Sequence, residues 1–125
     1  MDRDTVMAWV AGYERAWRDG DLEGVEALFT PDARYRVSPY ATSLVGHAGI
    51  KKIWLSDEGE TFTVAAEIVA LDGPTAVLRL VVRYGEPLRQ EYTDLWLVRF
   101  AADGRAEDFE EWPYWPKRRY SASTG

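Results

Sequence analysis

Two hydrophobic periods divide the chain. Over residues 5–19, Val6, Trp9, Val10, Tyr13, Ala16 and Trp17 recur three and four positions apart, which is one apolar face of a helix. Asp4 stands where an N-cap belongs, and Gly20 follows the last turn. Asp21 then opens a second, shorter helix with Leu22, Val25, Leu28 and Phe29 as its buried stripe. Thr30-Pro31-Asp32 stops it, because a proline has no N–H to donate and restricts the residue before it. Residues 33–38 read as a short strand ending at Pro39. A third helix is expected over 47–57, with Ile50, Ile53 and Trp54 turned inward.

From residue 61 the period changes to two. Residues 61–71, 75–84, 88–101 and 105–112 read as strands rich in Val, Leu, Thr and aromatics. Asp72-Gly73-Pro74, Gly85-Glu86-Pro87 and Asp103-Gly104 separate them, and Asp-Gly between strands is a strong hairpin signal. Helices followed by a run of antiparallel strands predict an α+β domain. Three N-terminal helices packed on a strongly curved, mainly antiparallel sheet would enclose a cone with a central pocket. Residues 1–116 form one such domain, and Lys117-Arg118-Arg119 opens a short basic tail over 117–125 that is expected to be flexible.

Composition narrows the chemistry. A chain of 125 residues suits one domain, and at that size roughly two-thirds of the unfolded surface is buried. Cysteine is absent, which removes disulfides, thiol catalysis and cysteine-ligated zinc and fits a reducing cytoplasm. A single histidine, His47, leaves no pair for a two-histidine metal site and no ready Ser–His relay. The net charge of −6 has the wrong sign for binding a phosphate backbone. Met1-Asp2-Arg3-Asp4 is polar and acidic, unlike a secretory signal, and no apolar run approaches the ~20 residues of a membrane span. The expected partner is therefore a small molecule in the cytoplasm, with no nucleic acid and no membrane. The unusual feature is aromatic content, with six Trp, seven Tyr and four Phe.

The order of these segments carries a resemblance. YERAWRDGD from Tyr13 to Asp21, the LEGVEALFTPDARY that follows, GHAGIKKIW, and the closing LWLVRFAADGRAEDFEEWPYW are each loose motifs. In this order, over residues 4–116, they resemble the SnoaL-like branch of the nuclear-transport-factor-2-like superfamily. The resemblance implies an α+β cone with a pocket between helices and sheet, often dimeric through the outer face of the sheet. Members include ketosteroid isomerases, polyketide cyclases, limonene-epoxide hydrolases and scytalone dehydratases, together with proteins that catalyse nothing, so the site must decide.

Measured against the isomerase pattern, Tyr13 matches the helix-1 tyrosine that donates to an oxyanion. The base position before Pro39 is Ser38, and the late-strand acid aligns with Trp96. Steroid isomerisation by that route therefore lacks two of its three groups. The epoxide hydrolase pattern asks for an Asp–Arg–Asp cluster. Glu111 aligns with its last-strand acid, Arg79 lies on strand 75–84, and Asp94 shares a strand face with Tyr92, Trp96, Val98 and Phe100. An inward Asp94 or Glu111 would seek Arg79, a tyrosine hydroxyl or His47, because buried charges need partners. Alternatively, each is a rim acid with no chemistry. His47 at the start of the third helix is read as a neutral base or donor at the pocket mouth, or as an ordinary surface residue. The acidic run from Asp103 to Glu111 is not expected to hold a metal, since alternation sends neighbours to opposite faces, with Phe109 and Glu111 inward. No cofactor is implied.

The expected walls are Trp17, Phe29, Tyr35, Tyr40, His47, Trp54, Trp96 and Phe109, with Tyr13, Asp94, Glu111 and Arg79 as the catalytic candidates. Together they suit a flat, mostly apolar ligand and acid–base chemistry of the isomerase, cyclase, hydrolase or dehydratase kind. The alternative is a non-catalytic dimeric carrier or scaffold. A homodimer would use outward-facing Leu95 and Leu97.

Overall fold

The computed structural model describes residues 1–54 and 61–117. Three helices, α1 (Arg3–Asp19), α2 (Glu23–Leu28) and α3 (Gly46–Trp54), alternate with and precede six strands. The strands are β1 (Phe29–Arg36), β2 (Leu44–Val45), β3 (Phe62–Asp72), β4 (Thr75–Tyr84), β5 (Gln90–Phe100) and β6 (Ala106–Tyr114). They form one mixed sheet in the order β2-β1-β6-β5-β4-β3, in which only β1 and β6 run parallel.

α1 begins two residues earlier than its apolar stripe suggests. Asp2, not Asp4, is the N-cap, and its carboxylate accepts from the Thr5 N–H at 2.8 Å. Asp4 falls in the first turn instead, where a negative charge meets the positive end of the helix dipole. Gly20 closes the helix at φ 64°, a left-handed conformation that glycine adopts without steric cost. The predicted face is the buried one, and Trp9 sits at its centre. Its ring meets Tyr13, Phe29, Trp96, Phe100 and Phe109, while its indole N–H donates to the Leu28 carbonyl at 2.9 Å. The bond satisfies a polar atom that burial would otherwise leave at a cost.

α2 is shorter than its stripe. It ends at Leu28, and Phe29, expected on the helix, is already extended at φ −125°, ψ 146° and opens β1. Pro31 lies inside that strand, where the pairing with β6 shifts register between Phe29 and Arg34, so its missing N–H breaks no ladder bond. α3 is described as far as Trp54; the expected extension to 57 and most of the basic tail lie outside the described residues. The tiny strand β2, which pairs Leu44 and Val45 with β1, carried no periodic signal.

Alternation then sorts the long strands into two faces. Ala76, Leu78, Leu80, Val82 and Tyr84 of β4 and Asp94, Trp96, Val98 and Phe100 of β5 are buried beneath the helices. Arg79, Arg83, Leu95, Leu97 and Trp112 belong to the opposite, outer face. On that outer face Arg36 bonds Glu110, its register partner, at 2.6 Å, Asp108 at 3.1 Å and Ser43 at 3.2 Å.

Candidate active site

Between α1, α3 and the inner face of the sheet lies a cavity of about 440 Å³, within the range of small-molecule sites. α1 supplies Tyr13 and Trp17, β1 supplies Tyr35 and Val37 follows it, and α3 supplies Lys52, Ile53 and Trp54. The sheet adds Val82, Tyr92, Asp94, Trp96 and Glu111. Half of these lining residues are aromatic, as the composition led one to expect.

Two hydroxyls and two carboxyls form its polar part. The Tyr13 and Tyr35 hydroxyls are 2.6 Å apart, and the Tyr35 hydroxyl reaches Glu111 Oε2 at 3.4 Å. Phe109 holds both phenol rings by stacking, at 5.6 Å from Tyr13 and 4.5 Å from Tyr35. Glu111 lies opposite Trp96 in the β5–β6 ladder, so Asp94, two residues from Trp96 on the same face, is its diagonal neighbour.

Asp94 is only 2% exposed. Trp96 Nε1 donates to its Oδ2 at 3.1 Å, and among the described residues no donor reaches Oδ1. Burial pushes its carboxyl up from the ordinary carboxylate value. The Glu111 carboxyl, the Trp96 indole and the Trp112 backbone N–H pull it partly back. Lys52 is the sole cation among the described lining residues. Two adjacent carboxyls with so little positive charge near them disfavour double ionisation, which acts in the same direction as the burial of Asp94. Burial likewise raises the Tyr35 phenol well above its ordinary value, with Tyr13 and Glu111 adding to the shift. The Trp54 indole N–H is buried in the same wall without an acceptor among the described residues.

The structure thus brings together Tyr13, Asp94 and Glu111, with Trp17, Tyr35, Trp54 and Trp96 around them. Other expected members lie elsewhere. Arg79 is on the outer face and pairs with Glu67 at 2.6 Å, because its strand neighbours Leu78 and Leu80 take the inward positions. Tyr40 is 99% exposed in the turn after Pro39. His47 donates from Nε2 to the Phe29 carbonyl at 2.8 Å, tying α3 to β1 and not lining the cavity. Phe29 and Phe109 are fully buried behind the wall. Sequence reasoning placed Ile53 inward without assigning it to the site, and it left Val37, Lys52, Val82 and Tyr92 out of the wall. Tyr92 was the findable one, since it shares parity with Asp94 and Trp96.

The family model described as SnoaL-like domain matches residues 10–109. Among solved structures, the epoxide hydrolase/cyclase-like enzyme SalBIII, of pyran ring formation in polyether salinomycin, is similar at a TM-score of 0.72. It is 17% identical, over 98% of each chain. A steroid delta-isomerase from Pseudomonas aeruginosa aligns at 29% identity and TM-score 0.61, over 86% of this chain and 75% of its own. An LEH-like epoxide hydrolase of M. tuberculosis aligns at 16% identity and TM-score 0.63, over 86% and 81%. Among curated proteins none matches the chain.

Proposed function

We propose, from the premise that this chain belongs to the SnoaL-like domain family, that it is an acid–base enzyme acting on a flat, mostly apolar, oxygen-bearing small molecule. The observation that carries this reading is the buried Asp94 carboxyl, raised by burial, sharing the cavity with Glu111. A carboxyl that holds its proton more tightly than an exposed one delivers that proton, or a strong hydrogen bond, to a ligand oxygen on which charge develops. The neighbouring carboxylate takes a proton from carbon, from a ligand hydroxyl or from water. The same pair therefore suits ring opening, ring closure or double-bond migration, which is also the range of names among the similar structures.

The tyrosines fit that role. With no ligand, Tyr13 donates to Tyr35 and Tyr35 to Glu111. A ligand oxygen at Tyr13 reverses the first bond, so that Tyr35 donates to Tyr13 and Tyr13 to the ligand. Arg79 takes no part, being on the other side of the sheet. The test is turnover of styrene oxide and of a β,γ-unsaturated cyclic ketone, followed by chromatography in wild type and Asp94→Asn. Conversion of either substrate, falling about hundredfold in the variant, is the expected result. Conversion of neither, or conversion indifferent to Asp94, overturns the reading in favour of a non-catalytic carrier.

The reading includes a homodimer. Leu95 and Leu97 are half-buried on the outer face, and Trp112 and Tyr114 beside them are 47% and 53% exposed. Exposed apolar patches of this kind mark interaction surfaces. Sedimentation at tens of micromolar should give a dimer; a 14.2 kDa species alone would count against it.

A further inference from the structure

The cavity has a polarity along its depth. Its inner end is the Asp94–Glu111 pair on the sheet with the Trp96 indole, and Asp94 and Trp96 are buried. Its outer end is marked by two residues of α3, the half-buried Ile53 and the exposed Lys52. Lys51 and Lys52 both occupy the last turn of α3, where cations suit the negative end of the helix dipole. They differ in what they do there. Lys51 is held by Glu26 at 2.8 Å and is not among the described residues lining this cavity. Lys52 has no ion pair or hydrogen bond among the described residues and contributes its side chain to the wall. A lysine in this position packs its methylene stem along the apolar wall and keeps its ammonium at the water.

We infer that Lys52 selects ligands bearing an anionic group, such as a carboxylate, and sets their direction of entry, with the anion outward and the reacting oxygen inward. This rests on the acid–base reading of the cavity and adds its substrate class. The direction follows from charge alone. An anion driven to the inner end would lie against two carboxyls that already share limited positive charge, whereas at α3 it meets the sole cation among the described lining residues. The chain's net charge of −6 repels anions at long range, so a local cation at the mouth has a larger relative effect on such ligands than on neutral ones.

The test uses two fluorescent probes that differ by one anionic group, anilinonaphthalene sulfonate and its uncharged parent phenylnaphthylamine. They are titrated into wild type, Lys52→Gln and Lys52→Glu at low and high salt, with circular dichroism confirming the fold of each variant. Lys52→Gln should weaken sulfonate binding about two- to fivefold and Lys52→Glu more, with the neutral probe unchanged and the difference shrinking in salt. Each probe should displace the other, which places both in one site. Equal losses for both probes, no loss for the sulfonate, or failure of the probes to compete overturns the inference while leaving the catalytic reading standing. Binding of neither probe removes both.

Discussion

Trp96 donates its indole N–H to Oδ2 of Asp94, two residues before it on the same face of β5, at 3.1 Å. The bond fixes one oxygen of a buried acid and leaves the other without a donor among the described residues. A side chain placed this way is costly for the fold, and the cost depends on pH.

The ordinary value for Asp94 is 3.8, and the folded chain holds its proton more tightly than that. Between 3.8 and the raised value the folded state therefore binds more protons than the unfolded state. Stability falls as pH rises through that window, and the deficit persists above it, at about 1.4 kcal/mol for each tenfold tightening of proton binding. Asp94→Asn keeps an acceptor for Trp96 and removes the titration. Urea unfolding at pH 8 should find the variant more stable by about 1–2 kcal/mol, with the advantage vanishing as pH drops below 3.8. A variant less stable at pH 8 would show that the carboxylate is well solvated.

Tyr35→Phe separates position from packing. The ring remains stacked on Phe109, but Tyr13 loses its hydroxyl partner and Glu111 its donor. Stability should fall by about 1 kcal/mol. Turnover of a substrate established for the wild type should fall about tenfold or more in kcat, with KM little altered, as for a group that acts through Tyr13. A rise in KM alone would make Tyr35 a wall residue.

Gly24 is fixed by crowding. A Cβ there would stand 2.6 Å from Cβ of Ala16, inside the α1–α2 contact. Gly24→Ala should therefore cost about 1–3 kcal/mol, although alanine is the better helix former by about 1 kcal/mol at an exposed position. The double variant Ala16→Gly/Gly24→Ala should recover part of the loss. Thermal melts of the three proteins decide it, and an unchanged single variant would mean that α2 shifts freely.

Elements whose side chains repeat were legible in the sequence. The apolar face of α1 and the parity of β5 both follow from one-sided burial, so Asp94 was recognisable as inward from Trp96. The same rule, applied to β4, puts Arg79 outside with Arg83 once Leu78 and Leu80 are inside. The catalytic grouping overrode that parity because a buried acid wants a cation, whereas the structure sets a second acid, Glu111, beside Asp94. The Tyr13–Tyr35 bond was not legible, since it joins residues 22 apart through the meeting of a helix and a strand. Nor was the role of His47, whose partner is a backbone carbonyl that no residue type announces.

The lone parallel pairing gives the sheet a gauge. Tyr35 lies beside Phe109 and Arg36 beside Glu110, so one alignment of β1 on β6 sets both faces. Sliding either strand by a single residue would exchange inside for outside. It would carry the phenol away from Glu111 and the guanidinium away from Glu110 and Asp108 together. The charges gathered around Arg36 on the exterior thus work as a vernier for the interior, holding to a fraction of a residue the spacing at which the Tyr35 hydroxyl reaches Glu111.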